Sequence, residues 1–274
     1  MSELSVSVIM TVKNGKDFIE DSLRSVKAQI YAPYEMIIVD DGSSDNTCEI
    51  VERVISEFNF PVKLIRTGGI GRSAALNLAL QSSSGEWVAN IDADDLWCSS
   101  KLGAQVMVIS KFPDADLVGT QATIFEGEGS VDIGCTDIDP CELSAHILSK
   151  RKFYFRNPIG HSSVLMRRLS LDRVSGYDEH RKMQVDYDLW VRLLKSGAVL
   201  YYTPAALVFK RVHSGQSFER RRRFFYVLSD LNIKLKSMRD LEAPVYYYPI
   251  PYIIFMLAFL PFKVRQFINR IIGY

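Results

Sequence analysis

Trp87-Val88-Ala89-Asn90-Ile91-Asp92-Ala93-Asp94-Asp95 is a largely apolar run that ends in three carboxylates. Clustered carboxylates repel one another and resist burial. At the end of a buried strand they need a neutralising partner. A divalent cation with hard oxygen ligands, such as Mg2+ or Mn2+, is the simplest one, and it keeps positions open for substrate phosphates. On that reading the segment belongs to an enzyme that handles a nucleotide or another phosphate ester. A solvated acidic turn capping the next helix accounts for the same residues, because Asp is common in turns.

The surrounding chain alternates strand and helix signals. Val6 to Val12 reads as a buried strand, and Phe18, Ile19, Leu23, Val26 and Ile30 fall near helical spacing. Met36 to Val39 is a second strand that runs into Asp40-Asp41-Gly42-Ser43-Ser44-Asp45. A helical stripe follows at Ile50, Val51, Val54, Ile55 and Phe58, with Asn46 and Glu49 spaced for a capped start. Val62 to Ile65 is a third strand. Gly68, Gly69 and Gly71 make a loop before an Ala/Leu-rich helix from Arg72 to Leu80. This order predicts an α/β fold, a mostly parallel sheet flanked by helices. Such sheets bind ligands beyond the carboxyl ends of their strands. Thr11, Asp41, the 68–72 loop and Asp92 to Asp95 all follow strand ends.

The second half is more mixed. Leu117 to Phe125, Ser162 to Met166, Val199 to Tyr202 and Leu207 to Lys210 are strand candidates, and Glu126 to Pro140 is a polar loop. Tyr187, Trp190, Val191 and Leu194 share a helical face that Gly197 terminates. The chain of 274 residues, 47% of them hydrophobic, is large enough for a substantial core. A net charge of +1 argues against a general nucleic-acid binder. Charged residues throughout Met1 to Asp21 exclude a cleavable signal peptide there. Cys48, Cys98, Cys135 and Cys141 form no CxxC pair and read as reduced thiols.

Composition changes near residue 218. Arg220 to Arg223 is a basic run beside Phe224, Phe225 and Tyr226. Pro244 to Phe262 carries no charge, but prolines at 244, 249, 251 and 261 interrupt it, and Lys263, Arg265 and Arg270 follow. The pattern reads as an interfacial element on an anionic membrane surface rather than a span. Packing on the protein's own body is the alternative.

Several residues could carry chemistry. Asp41 could accept the N–H of a nucleobase. Arg72, at a helix start, could pair with a phosphate. Asp186 opens a helix, where it serves either as a general base or as a cap favoured by the helix dipole. Asp188, two residues on, faces elsewhere. His213 could bind the cation or a diphosphate, and Arg211 could offset leaving-group charge. His161 could line an acceptor pocket or hold a turn. No GxSxG elbow is present.

Taken together these segments resemble glycosyltransferase family 2, the inverting transferases of the GT-A fold, over roughly residues 4 to 217. The motifs come in the family's order: Val6 to Thr11, Ile38 to Asp45, Gly71 to Asn77, Ile91 to Asp95, Asp186 to Trp190, and Arg211 to His213. The resemblance implies that Thr11 and Asp41 contact the nucleoside and that Arg72 helps hold the donor. It implies that Asp92 and Asp94 form the DxD motif, with Asp94 or Asp95 on the metal. Asp186 would be the catalytic base, and the His213 region would close over the diphosphate. Lys13 stands where many members have an aromatic residue that stacks on uracil. Val185 stands where a Glu usually precedes the base.

The resemblance divides the chain into a GT-A domain, 1–217, and a basic, aromatic helical tail, 218–274. Residues 1–100 would be the nucleotide-sugar half and 101–217 the acceptor half. The implied reaction moves a hexose, Glc or Gal from UDP, to a hydroxyl of an undecaprenyl-diphosphate-linked sugar for lipopolysaccharide O-antigen or capsule. It would use Mn2+ or Mg2+ and run on the inner face of the bacterial cell membrane, with the protein held peripherally by its tail. A nucleotidyltransferase with a similar acidic metal site, and a non-catalytic sugar-nucleotide-binding scaffold, are the competing readings.

Overall fold

The structure is a computed structural model, and it describes residues 4–127, 143–213 and 223–260. Four parallel strands come first: β1 (Val6–Val12), β2 (Glu35–Asp40), β3 (Val62–Arg66) and β4 (Trp87–Asn90). They are connected by α1 (Ile19–Lys27), α2 (Thr47–Ile55) and α3 (Arg72–Ser82). The buried positions of α1, Ile19, Leu23 and Val26, recur at helical spacing and face the core. On its solvent side Arg24 pairs with Glu20 at 2.9 Å and with Glu57 at 3.1 Å. Asn46 makes no side-chain cap to α2. Asp45 accepts from Thr47 N at 3.1 Å instead, so the cap sits one residue earlier than the sequence spacing predicts.

The second half extends the same sheet with mixed polarity. Short β5 (Leu96–Trp97) leads into α4 (Lys101–Lys111), and β6 (Leu117–Glu126) follows. Then come β7 (His146–Ile147), α5 (Lys152–Phe155), β8 (Val164–Arg167) and α6 (Arg168–Arg173). The last of this set are α7 (Val185–Lys195) and β9 (Leu200–Val212). The sheet order is β3-β2-β1-β4-β8-β6-β9-β5, with β7 beside β9. β8 is antiparallel to both β4 and β6, whereas β6 and β9 run parallel. The parallel character expected from the sequence is continuous through the first four strands and recurs in the β6–β9 pair. The two short strand signals after residue 198 merge into the single strand β9, whose extra residues between Thr203 and Val208 shift its register against β6 at Thr120 to Ala122. α7 stops where Gly197 takes φ +88° and Ala198 N reaches back to Leu193 O at 3.0 Å.

Contacts divide the chain into two compact units. One comprises Met1–Leu148 and Ile159–Ser214, the other Ser149–Pro158 and Gly215–Tyr274. In the second unit α5 packs on α8 (Arg223–Asp240), and Ser237 Oγ donates to Phe153 O at 2.6 Å. α9 (Pro249–Leu257) leaves Tyr252, Ile253 and Met256 exposed along one side. None of the described helices is long and apolar enough to cross a membrane. Cys48 is a free thiol, but Cys98 is disulfide-bonded, contrary to the reading of four reduced cysteines.

One core residue breaks the hydropathy rule. Lys101 is fully buried, its Nζ 3.8 Å from the centre of the Trp97 ring and 2.9 Å from Gln105 Oε1. Gln105 Nε2 in turn donates to Val118 O at 2.7 Å and to Ser163 O at 3.0 Å. Burial pushes the Lys101 ammonium well below its ordinary value. The unfolded chain therefore binds a proton that the folded chain releases, across the window from that lowered value up to the ordinary lysine value. Stability is greatest above that window and is lost as pH falls through it. In denaturant titrations the stability of the wild type, relative to Lys101→Met, is expected to rise from pH 7 to about pH 10. A pH-independent difference would contradict the assignment.

Candidate active site

The carboxyl ends of β1 and β2 build the first wall. Asp41 follows β2 and is buried. Its Oδ1 accepts from Ile70 N at 2.6 Å and Thr67 Oγ1 at 2.9 Å, and its Oδ2 accepts from Gly71 N at 3.0 Å. A carboxylate offers about four lone-pair sites. Asp41 spends most of them on shaping the 67–71 loop. The turn and the loop touch: a Cβ on Gly42, which has φ +79°, would lie 3.1 Å from Gly69 N. Lys13 Nζ reaches over the same loop, 3.5 Å from where a Gly69 Cβ would stand. Thr11 is partly exposed at the end of β1. An Asp41→Asn substitution puts an amide N–H where a backbone N–H donates. It is expected to cost about 1–3 kcal/mol in urea unfolding and to raise loop proteolysis, because buried donors lose their acceptor. Unchanged stability and protease resistance would contradict that role.

The acidic segment after β4 separates into three environments. Asp92 Oδ1 pairs with Arg72 Nη2 at 2.7 Å and lies 3.3 Å from His161 Nδ1, while Asp92 N donates to Ser162 Oγ at 3.0 Å. Burial acts to raise Asp92, but the Arg72 guanidinium, helped by the charge of Lys210, holds its carboxyl well below the usual range. Asp95 is turned inward. Its Oδ2 accepts from Ser162 Oγ at 2.5 Å and its Oδ1 from Arg211 N at 3.2 Å. Burial, and then the charges of Asp92 and Asp94, push Asp95 up to about 8. Asp94 remains at the surface, its Oδ2 3.3 Å from His213 Nε2.

Two residues are placed otherwise than the sequence suggested. Arg211 does not face the open site. Its side chain is 0% exposed, with Nη2 3.1 Å from Asp21 Oδ2 and Nη1 donating to Gly127 O at 2.9 Å. The rings of Phe18 and Phe125 flank it at 4.9 Å and 4.8 Å. Strand alternation is the cause. In β9 the position before it, Lys210, is the exposed cation, and its charge lowers both Asp92 and Asp95. Asp95 is likewise a structural anchor rather than an outward metal ligand, because both of its oxygens are engaged inside.

α7 supplies the opposite wall. Gln184 precedes it with φ +53°, a left-handed conformation that costs a non-glycine residue energy. Asp188 is fully buried between Arg192 Nε at 2.7 Å and Arg181 Nε at 3.3 Å. Asp186 lies on another face, one turn before Trp190. The Trp190 ring is 6.3 Å from the ring of His161. Asp186 also acts on two groups beside Asp92. The charges of Asp92, then Asp186 and Asp94, raise the Arg72 guanidinium. Burial and then Asp186 raise the Tyr177 phenol. The structure therefore brings Arg72, Asp92, His161 and Asp186 into one neighbourhood. Tyr177 and Lys210 join them unannounced by any motif; strand alternation in β9 was the one available signal for Lys210.

No group of three or more His, Cys, Asp or Glu side chains is gathered to hold a metal among the described residues. The Asp94–His213 pair still fits a hard divalent cation. It pairs a carboxylate oxygen with an imidazole nitrogen, and such a cation takes its remaining ligands from phosphate oxygens and water.

Residues 7–162 match the family model described as Glycosyl transferase family 2. The putative glycosyltransferase EpsE of Bacillus subtilis strain 168 is 29% identical over 243 residues, which cover 88% of this chain and 84% of that protein. WfgD of Escherichia coli, named a UDP-Glc:alpha-D-GlcNAc-diphosphoundecaprenol beta-1,3-glucosyltransferase, is 30% identical over 200 residues, covering 73% of each chain. Residues 1–349 of S. aureus TarS, solved with UDP-GlcNAc, superpose with a TM-score of 0.68 at 18% identity, covering 95% of this chain and 77% of that one. The Pyrobaculum calidifontis mannosyltransferase PcManGT, solved with GDP-Man and Mn2+, gives 0.67 at 22% identity, covering 92% and 69%. At such identities the two structures share the fold, and the fold alone.

Proposed function

The chain belongs to glycosyltransferase family 2 and has the GT-A fold, and on that premise we propose that it is an inverting hexosyltransferase with Asp186 as its base. The observation that carries the reading is that Asp186 lies one turn before Trp190, whose ring is 6.3 Å from that of His161, and His161 Nδ1 is 3.3 Å from the Asp92 carboxylate that pairs with Arg72. A proton acceptor and a donor-holding ion pair thus flank one surface. In the proposed reaction an acceptor hydroxyl attacks the anomeric carbon of a nucleotide sugar. Asp186 takes the hydroxyl proton as the new C–O bond forms. The bond from that carbon to the diphosphate breaks, and the nucleoside diphosphate leaves with the electron pair. The configuration inverts, because attack and departure occur on opposite faces. Arg72 and Lys210 supply fixed positive charge beside the departing group. Asp94 and His213 would hold a divalent cation, Mn2+ or Mg2+, which adds charge of the same sign when bound. Thr11, Lys13 and Asp41 form the nucleoside end; Asp41 keeps a lone pair beyond its loop bonds for a base N–H.

UDP-glucose or UDP-galactose is the proposed donor, and a saccharide on a lipid diphosphate the proposed acceptor. The name of the WfgD relative supports both choices. The proposed location is the inner face of a bacterial cell membrane. Exposed Tyr252, Ile253 and Met256 of the second unit, with the basic residues of the tail sequence, support contact with anionic lipid. Purified protein with Mn2+, UDP-glucose and undecaprenyl-diphosphate-linked GlcNAc is expected to release UDP and extend the lipid-linked sugar. Consumption of no sugar nucleotide with any lipid-linked acceptor would refute the transferase assignment, and diphosphate release from a nucleoside triphosphate would replace it with nucleotidyl transfer. For the membrane, full-length protein is expected to co-sediment with anionic vesicles and the 244–274 deletion to stay in solution. Equal partition of the two proteins would rule out the tail as anchor.

A further inference from the structure

His161 is buried, yet both of its ring nitrogens are engaged. Nδ1 faces Asn90 Nδ2 at 3.0 Å and Arg72 Nη2 at 3.3 Å. Nε2 faces the Tyr177 hydroxyl at 2.8 Å. A guanidinium has no acceptor. Asp92 Oδ1, the acceptor 3.3 Å from Nδ1, already accepts from Arg72 Nη2, so the two donors Asn90 Nδ2 and Arg72 Nη2 leave the lone pair on Nδ1 and place the imidazole hydrogen on Nε2, donated to Tyr177. The same Arg72 Nη2 donates to Asp92 Oδ1 at 2.7 Å, and Asn90 Nδ2 reaches that oxygen at 3.4 Å. His161 and Asp92 thus hold one edge of the Arg72 guanidinium between them. The Arg72 side chain as a whole is 51% exposed.

The other side of His161 faces the base. Its ring makes an edge contact with Tyr177 at 5.5 Å and a tilted contact with Trp190 at 6.3 Å. Trp190 and Asp186 are one helical turn apart on α7 and share its face. Ser162 and Ser163, the next two residues, are tied down by Asp95 and by Gln105, so the imidazole sits on a fixed turn.

We propose that His161 is a positioning residue, one that locks the donor-binding Arg72–Asp92 pair to Tyr177 and the Asp186 face of α7 through its two nitrogens. This rests on the reading of Asp186 as the base and assigns that site a new internal link. It also replaces the expectation that His161 touches the acceptor, because neither nitrogen is left to reach a substrate. As Tyr177 accepts from Nε2, its own hydrogen points away from the imidazole.

The two halves of the link separate by mutation. Asparagine can offer an acceptor near the Nδ1 position, and glutamine a donor near the Nε2 position. His161→Asn and Tyr177→Phe are expected to lower kcat about tenfold to a hundredfold with donor KM within about twofold. His161→Gln is expected to raise donor KM about tenfold with a smaller change in kcat, and to reduce the melting-temperature shift produced by UDP with Mn2+. A merely structural histidine would lower stability in all three variants and move neither ratio. Imidazole 15N spectra of the full-length wild type provide a check independent of turnover. They are expected to show His161 as the Nε2–H tautomer, and the Nδ1–H tautomer would overturn the proposal, as would unchanged kcat in both His161→Asn and Tyr177→Phe. Should the wild type consume no sugar nucleotide, the reading of Asp186 fails, while the tautomer and the UDP-induced shift in His161→Gln still decide the link.

Discussion

Asp186→Asn is expected to lower turnover about a hundredfold to ten-thousandfold while donor binding stays within about twofold of wild type, the range for removing a positioned general base. Asparagine keeps the shape and the helix N-terminal position and loses only the ability to take a proton. The Arg72–Asp92 and Arg72–His161 contacts on the donor side are made by other residues and stay in place in the variant. UDP with Mn2+ should therefore raise the melting temperature of the variant as much as that of the wild type. Parallel loss of UDP binding and turnover would mean that the residue holds the donor. Full retention of turnover would remove it from the mechanism.

The second large effect lies two residues away and is of another kind. Asp188→Leu is expected to destabilise the fold by about 3–5 kcal/mol, because it leaves Arg181 and Arg192 without the carboxylate between them. Both guanidiniums are mostly buried, with side chains 18% and 21% exposed. Arg192 also ties α7 to Val174 O at 2.7 Å, so the loss reaches the segment that leads to Tyr177. Urea unfolding measures it. A change within about 0.5 kcal/mol would show that the pair contributes no more than a surface bridge. Turnover per folded molecule should fall far less than in Asp186→Asn. The two carboxylates share one short helix, and the contrast tests whether its faces are divided between catalysis and stability.

Much of this was legible in the chain. The four parallel strands of the first half follow from short, largely apolar runs, and its three helices from helical spacing or Ala/Leu content. The helix with Asp186 and the glycine that stops it were readable for the same reason. α4 and β5 carried weaker patterns. Lys101 and Gln105 occupy core positions of α4 as polar residues, so the apolar stripe is interrupted where the structure needs it whole.

Local sequence determined that carboxylates gather at strand ends on one rim of an α/β sheet, because strand period and turn chemistry are set by near neighbours. It did not determine which of them face outward. Asp94 and Asp95 are adjacent and identical, yet Ser162, 67 residues on, draws Asp95 inside. Hydropathy would bury Val212 and expose Arg211. Tertiary structure does the reverse, because Asp21, 190 residues earlier, and the rings of Phe18 and Phe125 give the guanidinium partners that water would otherwise supply.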